Sequence, residues 1–65
     1  MKIEIDKNAD AAFIYFKDIS TGEVAKTISL NGDLNVDLDS DGKILGIEVL
    51  NASKTMPKHF EEIKN

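Results

Sequence analysis

Four acidic residues are the first candidates for chemistry. Asp37, Asp39, Asp41 and Glu48 lie in "DLDSDGKILGIE", which fits the calcium-loop pattern D-x-[DN]-x-[DN]-G-x₅-E, with Gly42 at the turn. In a helix-flanked calcium loop such residues supply the ligand carboxylates, and the final Glu binds with both oxygens. The loop works because a helix on each side aims its oxygens at one point. Here the flanks are Leu34-Asn35-Val36 and Val49-Leu50, which alternate as strands. Same-face neighbours on a strand are about 7 Å apart, too spread for four carboxylates to wrap one ion at about 2.3–2.6 Å. Lys43 adds an ammonium inside the loop. The expectation is a solvated acidic hairpin, with weak cation binding by the acidic Asp37–Glu48 hairpin as the alternative reading.

Other reactive groups are sparse. His59 is the only histidine, and with Glu62 it makes at most a helix-face pair, short of a metal site. Ser20, Ser29, Ser40 and Ser53 have no histidine in any nucleophile motif, and cysteine is absent. Gly22, Gly32, Gly42 and Gly46 are isolated rather than gathered into a phosphate cradle, and three of them fall in turns. A carboxylate pair such as Asp37 and Glu48 on an open sheet face would stay solvated, the opposite of catalytic tuning. The residues thus point to no enzyme, no cofactor, no catalytic residue and no built metal site.

Composition narrows the partners. Sixty-five residues make one small domain, near the size at which a single core barely offsets chain entropy. No disulfide or thiolate metal site can help, so a second copy of the chain is an expected source of buried area. Twelve acidic residues oppose eight basic ones, all lysine, for a net charge of −4. That charge, and the lack of an arginine fork, speak against nucleic acid. The longest apolar run, Ala11 to Phe16, is too short to span a bilayer, and Met1-Lys2-Ile3-Glu4 opens no apolar leader. A cytoplasmic protein without membrane attachment is the expectation.

The elements that must carry these residues are mostly strands. Lys2–Asp6 alternates as a half-buried strand, and "KNAD" (Lys7 to Asp10) turns the chain. "AAFIYF" (Ala11 to Phe16) is apolar on both faces and reads as a central strand. "KDISTG" is a looser connection. "EVAKTISL" (Glu23 to Leu30) places Val24, Ile28 and Leu30 on one side, interrupted by Lys26, before a turn at "NGD". "LNVDLD" and "KILGIEVL" then form the acidic hairpin. A two-residue turn at Asp41-Gly42 would pair Leu38 with Leu45, Val36 with Ile47 and Leu34 with Val49 on one face. It would pair Asp39 with Ile44, Asp37 with Gly46 and Asn35 with Glu48 on the other. A three-residue loop would invert one strand and spoil the apolar face, so the two-residue turn is expected.

After Leu50 the period-two pattern stops. Asn51 or Ser53 is suited to cap a short helical turn, with Thr55 a further cap candidate, and Pro57 suits the first position of a second helix. Met56, Phe60 and Ile63 recur at helical spacing. The predicted fold is α+β: a small antiparallel sheet of about five strands over residues 1–50, with hairpin and meander connections, then a C-terminal helical segment over 51–65. One helix covers one face. With Ile3, Ile5, Ala12, Ile14 and Phe16 turned to the core, Phe13, Tyr15 and Ile44 would form an exposed apolar patch on the other side.

"MKIEID", "ADAAFIYF" and above all "LNVDLDSDGKILGIEVLNAS" resemble a family of small bacterial and archaeal proteins, domain-of-unknown-function family 2283. The resemblance runs from Met1 to about Ser53 and is weakest over Lys17 to Leu30. It implies a small antiparallel sheet with a C-terminal helical segment, and no activity or catalytic residues. It also implies a loose association with small toxin-like proteins. Together with the residues, this favours a non-enzymatic protein-interaction module, a homodimer through the sheet or its edge. Asp33, Asp37, Asp39, Asp41 and Glu48 against Lys43 give the hairpin a local charge of −4, equal to that of the whole chain. Such a field suits a small basic protein partner, as an antitoxin-like role would require.

Overall fold

The computed structural model describes residues 1–57. Five strands form one antiparallel sheet: β1 (Lys2–Asp6), β2 (Ala11–Tyr15), β3 (Lys26–Leu30), β4 (Leu34–Leu38) and β5 (Ile44–Leu50), in the order β1-β2-β5-β4-β3. A four-residue helix, α1 (Ala52–Thr55), follows. The last strand in sequence is therefore the middle one in space. β3 is shorter than the alternation over Glu23 to Leu30 suggested, and β2 ends one residue before Phe16. The expected helical stripe through Phe60 and Ile63, the second helix after Pro57, and the His59–Glu62 pair lie outside the described residues.

Cross-strand pairing sorts the side chains into two faces, because directly opposed residues share a face. On one face run the rows Ile5–Ala12–Val49–Leu34–Leu30 and Ile3–Ile14–Ile47–Val36–Ile28. Both rows are wholly apolar. The opposite face carries Glu4–Phe13–Glu48–Asn35–Ser29 and Lys2–Tyr15–Gly46–Asp37–Thr27. The apolar side is the face assigned to the core by sequence. Yet among the described residues only Ala11, Ala12, Leu45 and Val49 are apolar and buried. α1 packs against β2 and β5.

The turns follow residue chemistry. Asn31 and Gly32 both take positive φ (54° and 72°), and the Asp33 N–H donates to the Leu30 carbonyl at 3.2 Å, closing a tight β3–β4 turn. The acidic hairpin departs from expectation. Gly42 N–H donates to the Asp39 carbonyl (3.0 Å), Asp39 N–H donates to the Lys43 carbonyl (2.9 Å), and Gly42 has φ 83°. The connection is thus a three-residue loop, Ser40 to Gly42, and Asp39 faces Lys43 rather than Ile44. Leu38 pairs with Ile44 instead of Leu45, and the register shifts between Asp37 and Leu38. Leu45 is the extra residue of a β-bulge, and it restores the pairing that the odd loop would have inverted. Beyond it the expected pairs stand: Asp37–Gly46, Val36–Ile47, Asn35–Glu48 and Leu34–Val49.

Candidate functional site

The polar face is built from short side chains on alternate strand positions. Ser29 Oγ donates to Asn35 Oδ1 at 2.6 Å, and Asn35 Nδ2 donates onward to Glu48 Oε1 at 2.9 Å. One row down, Thr27 Oγ1 donates to Asp37 Oδ1 at 2.7 Å. These bonds cross three adjacent strands, β3, β4 and β5, and occupy one carboxylate oxygen each of Glu48 and Asp37. Phe13 and Tyr15 stand two residues apart on β2 with rings parallel to within 4° and centroids 6.3 Å apart. Around them lie Glu4, Asp37 and Glu48, and a shallow depression of ≈ 220 Å³ is lined by Phe13, Tyr15, Asp37, Gly46, Ile47 and Glu48.

Gly46 makes this depression possible. A Cβ there would stand 3.0 Å from the Ile14 carbonyl oxygen and 3.5 Å from both the Ile19 Cδ1 and Tyr15 Cδ1 atoms. Ile19, from the loop between β2 and β3, therefore reaches over the glycine to pack beside Tyr15. That loop is held by Glu23, whose carboxylate accepts from Lys17 Nζ and from the Ser20 N–H. The two bonds lower the Glu23 pKa below the ordinary carboxylate value, with the Lys17 bond the larger cause. Tyr15 moves the other way. Partial burial, then the charge of Glu4, raise the phenol above its ordinary value.

The expected exposed patch is thus corrected. Phe13 and Tyr15 are half-buried in a polar setting, and the bulge sets Ile44 opposite Leu38, on the other face. Among the described residues the strongly exposed large apolar ones are instead Met1, Phe16, Val24, Ile28, Leu30 and Ile44. Of these, Phe16, Ile28, Leu30 and Ile44 belong to the apolar face by alternation or register.

The four carboxylates of the calcium-like pattern do not converge. Asp39 Oδ1 accepts from the N–H groups of Asp41 and Lys43, both at 2.9 Å, and so is spent on the turn. Asp37 and Glu48 serve the cross-strand bonds, on separate rows. Among the described residues no group of three or more His, Cys, Asp or Glu is placed to hold a metal ion.

Sequence reasoning missed Asp10. This residue sits at the end of the β1–β2 turn with φ 52° and caps α1 from 43 positions away. Its carbonyl accepts from the Ala52 N–H (2.8 Å), and its carboxylate takes the Ser53 N–H (3.0 Å) and Ser53 Oγ (2.7 Å). Asn51, expected as a possible cap, occupies the N-cap position with φ 51° but makes no side-chain cap bond. Its Nδ2 donates to Asp33 Oδ1 at 2.8 Å. Thr55 Oγ1 bonds back to the carbonyls of Leu50 and Asn51. The available signals were "NAD" before β2 and "NAS" after β5, too distant to connect from spacing alone.

These features define a small antiparallel sheet with one apolar face and one polar face bearing an aromatic pair. Among the described residues no helix is long and apolar enough to cross a membrane. Residues 2–53 match the model of the family described as "Protein of unknown function (DUF2283)", and the chain belongs to that family. No curated protein and no solved structure matches it.

Proposed function

We propose that the chain is a non-enzymatic protein-interaction module whose polar face receives a lysine or arginine of a small basic protein. The observation that carries this reading is the stacked Phe13–Tyr15 pair with Glu4, Asp37 and Glu48 around it. Aromatic faces attract a cation, and carboxylates bind it through charge-assisted hydrogen bonds. Lys2 lies 3.8 Å from Glu4 at an exposed edge of this cluster. An antitoxin-like role is one specific form of the proposal.

The chain has one tyrosine and no tryptophan, so Tyr15 emission reports this face directly. Titration with an arginine-rich decapeptide should change the emission, weaken with added salt, and lose at least about tenfold in affinity, about 1.4 kcal/mol, in Asp37→Asn/Glu48→Gln. An unchanged spectrum at low salt would refute it.

A further inference from the structure

We infer that the apolar face is the contact surface of a homodimer in which two copies of the chain pack sheet to sheet. This inference does not depend on the basic partner, which would meet the opposite face. The ten positions of the two apolar rows hold only Ile, Leu, Val and Ala. Lys26 pairs with Leu38 at the corner of this face, outside those rows. Nevertheless Ile28 is 38% exposed, Leu30 49%, Phe16 45% and Ile44 51%. A sheet that is apolar on one face has to bury that face against another layer. The buried apolar residues, two alanines, one leucine and one valine, are too few to serve as a core.

Size selects the occupant. Five strands at about 4.8 Å spacing and five residues at about 3.4 Å give a footprint of about 24 by 17 Å, or ~400 Å² in projection. A second copy offers a face of the same size with no charge in its two rows. The pleated accessible area exceeds the projection, so two such faces reach the ~1,000 Å² that a specific interface needs.

Charge permits the same arrangement despite the net −4 of each chain. Sheets pack about 10 Å apart, and the carboxylates of Glu4, Asp37 and Glu48 then point outward on the two far sides. Their separation exceeds the Debye length of about 8 Å at physiological salt. In an isologous pair the twofold axis would pass near Ile47, at the middle of the central strand, so that residue meets its own copy.

The test uses the full chain. Light scattering after size exclusion should give twice the 7.2 kDa chain mass. In a sample mixing isotope-labelled and unlabelled chains, intermolecular NOEs should join the methyl groups of Ile14, Val36 and Ile47. Ile28→Lys/Leu30→Lys, at exposed edge positions, should weaken dimerisation at least tenfold while the strand signal in circular dichroism remains. Phe13→Lys should leave the mass unchanged. A monomer at millimolar concentration would overturn the inference. So would intermolecular NOEs confined to Phe13 and Tyr15, or NOEs that place Phe60 of the same chain over Ile47. If the double lysine variant fails to fold, the NOE experiment on the wild-type chain still decides the matter.

Discussion

Asp10 allows a quantitative test of how this small fold holds its only described helix. Replacing it with alanine removes both carboxylate bonds to Ser53. Loss of a helix cap costs about 1 kcal/mol. Alanine must then also occupy the left-handed conformation at φ 52°, which costs roughly another 1 kcal/mol. The expected loss is about 2 kcal/mol, against a total stability of about 3–10 kcal/mol for a chain of this length. At about 4–8 °C per kcal/mol, the midpoint should fall by roughly 8–16 °C. Two companions separate the contributions. Asp10→Gly loses the cap but relieves the backbone, and should sit about halfway. Asp10→Asn tolerates the left-handed region and keeps an oxygen for the Ser53 N–H, so it should stay within about 0.5 kcal/mol of wild type. The assay is urea and thermal unfolding by circular dichroism at one fixed chain concentration. If alanine matches wild type, the long-range cap is wrong. If alanine matches glycine, the backbone share is wrong.

Two further perturbations probe the polar face. Gly46→Ala should destabilise the chain by about 1–3 kcal/mol, because the new Cβ meets the rigid Ile14 carbonyl at 3.0 Å; an unchanged urea midpoint would show that the sheet yields freely there. The lone tyrosine, followed by its ultraviolet absorbance, should ionise above the ordinary phenol value of 10.0, and Glu4→Gln should bring it down. A folded pKa raised above the unfolded one stabilises the fold fully below the unfolded pKa. That contribution fades as pH rises through the folded value, so alkaline unfolding should begin above pH 10.0 and Tyr15→Phe should delay it.

The sequence made the sheet legible where alternation was strong. Four pairs of the β4–β5 hairpin, from Leu34–Val49 to Asp37–Gly46, follow directly from opposing apolar and polar periods. The loop length was not legible, because two irregularities cancel. Gly42 lengthens the loop by one residue and the bulge at Leu45 absorbs it, so the distal register is the same as for a two-residue turn. The candidate site was half legible: Phe13 and Tyr15 on one face followed from alternation, whereas Ile19 packing over Gly46 depends on how an irregular loop folds. Asp10 was hidden for a related reason. A cap that acts across 43 residues is a tertiary contact and leaves no local signature.

The strand order has a consequence for the timing of folding. β5 lies between β2 and β4, so within the sheet the β1–β2 and β3–β4 hairpins are joined only through the last of the five described strands. Until Ile44–Leu50 emerges, each hairpin presents an unpaired inner edge and half of an apolar face to its surroundings. Such edges are templates for strand addition by other chains, and non-local pairing of this kind is slow. A nascent chain stalled before Ile44 should therefore be more prone to aggregation than the finished one.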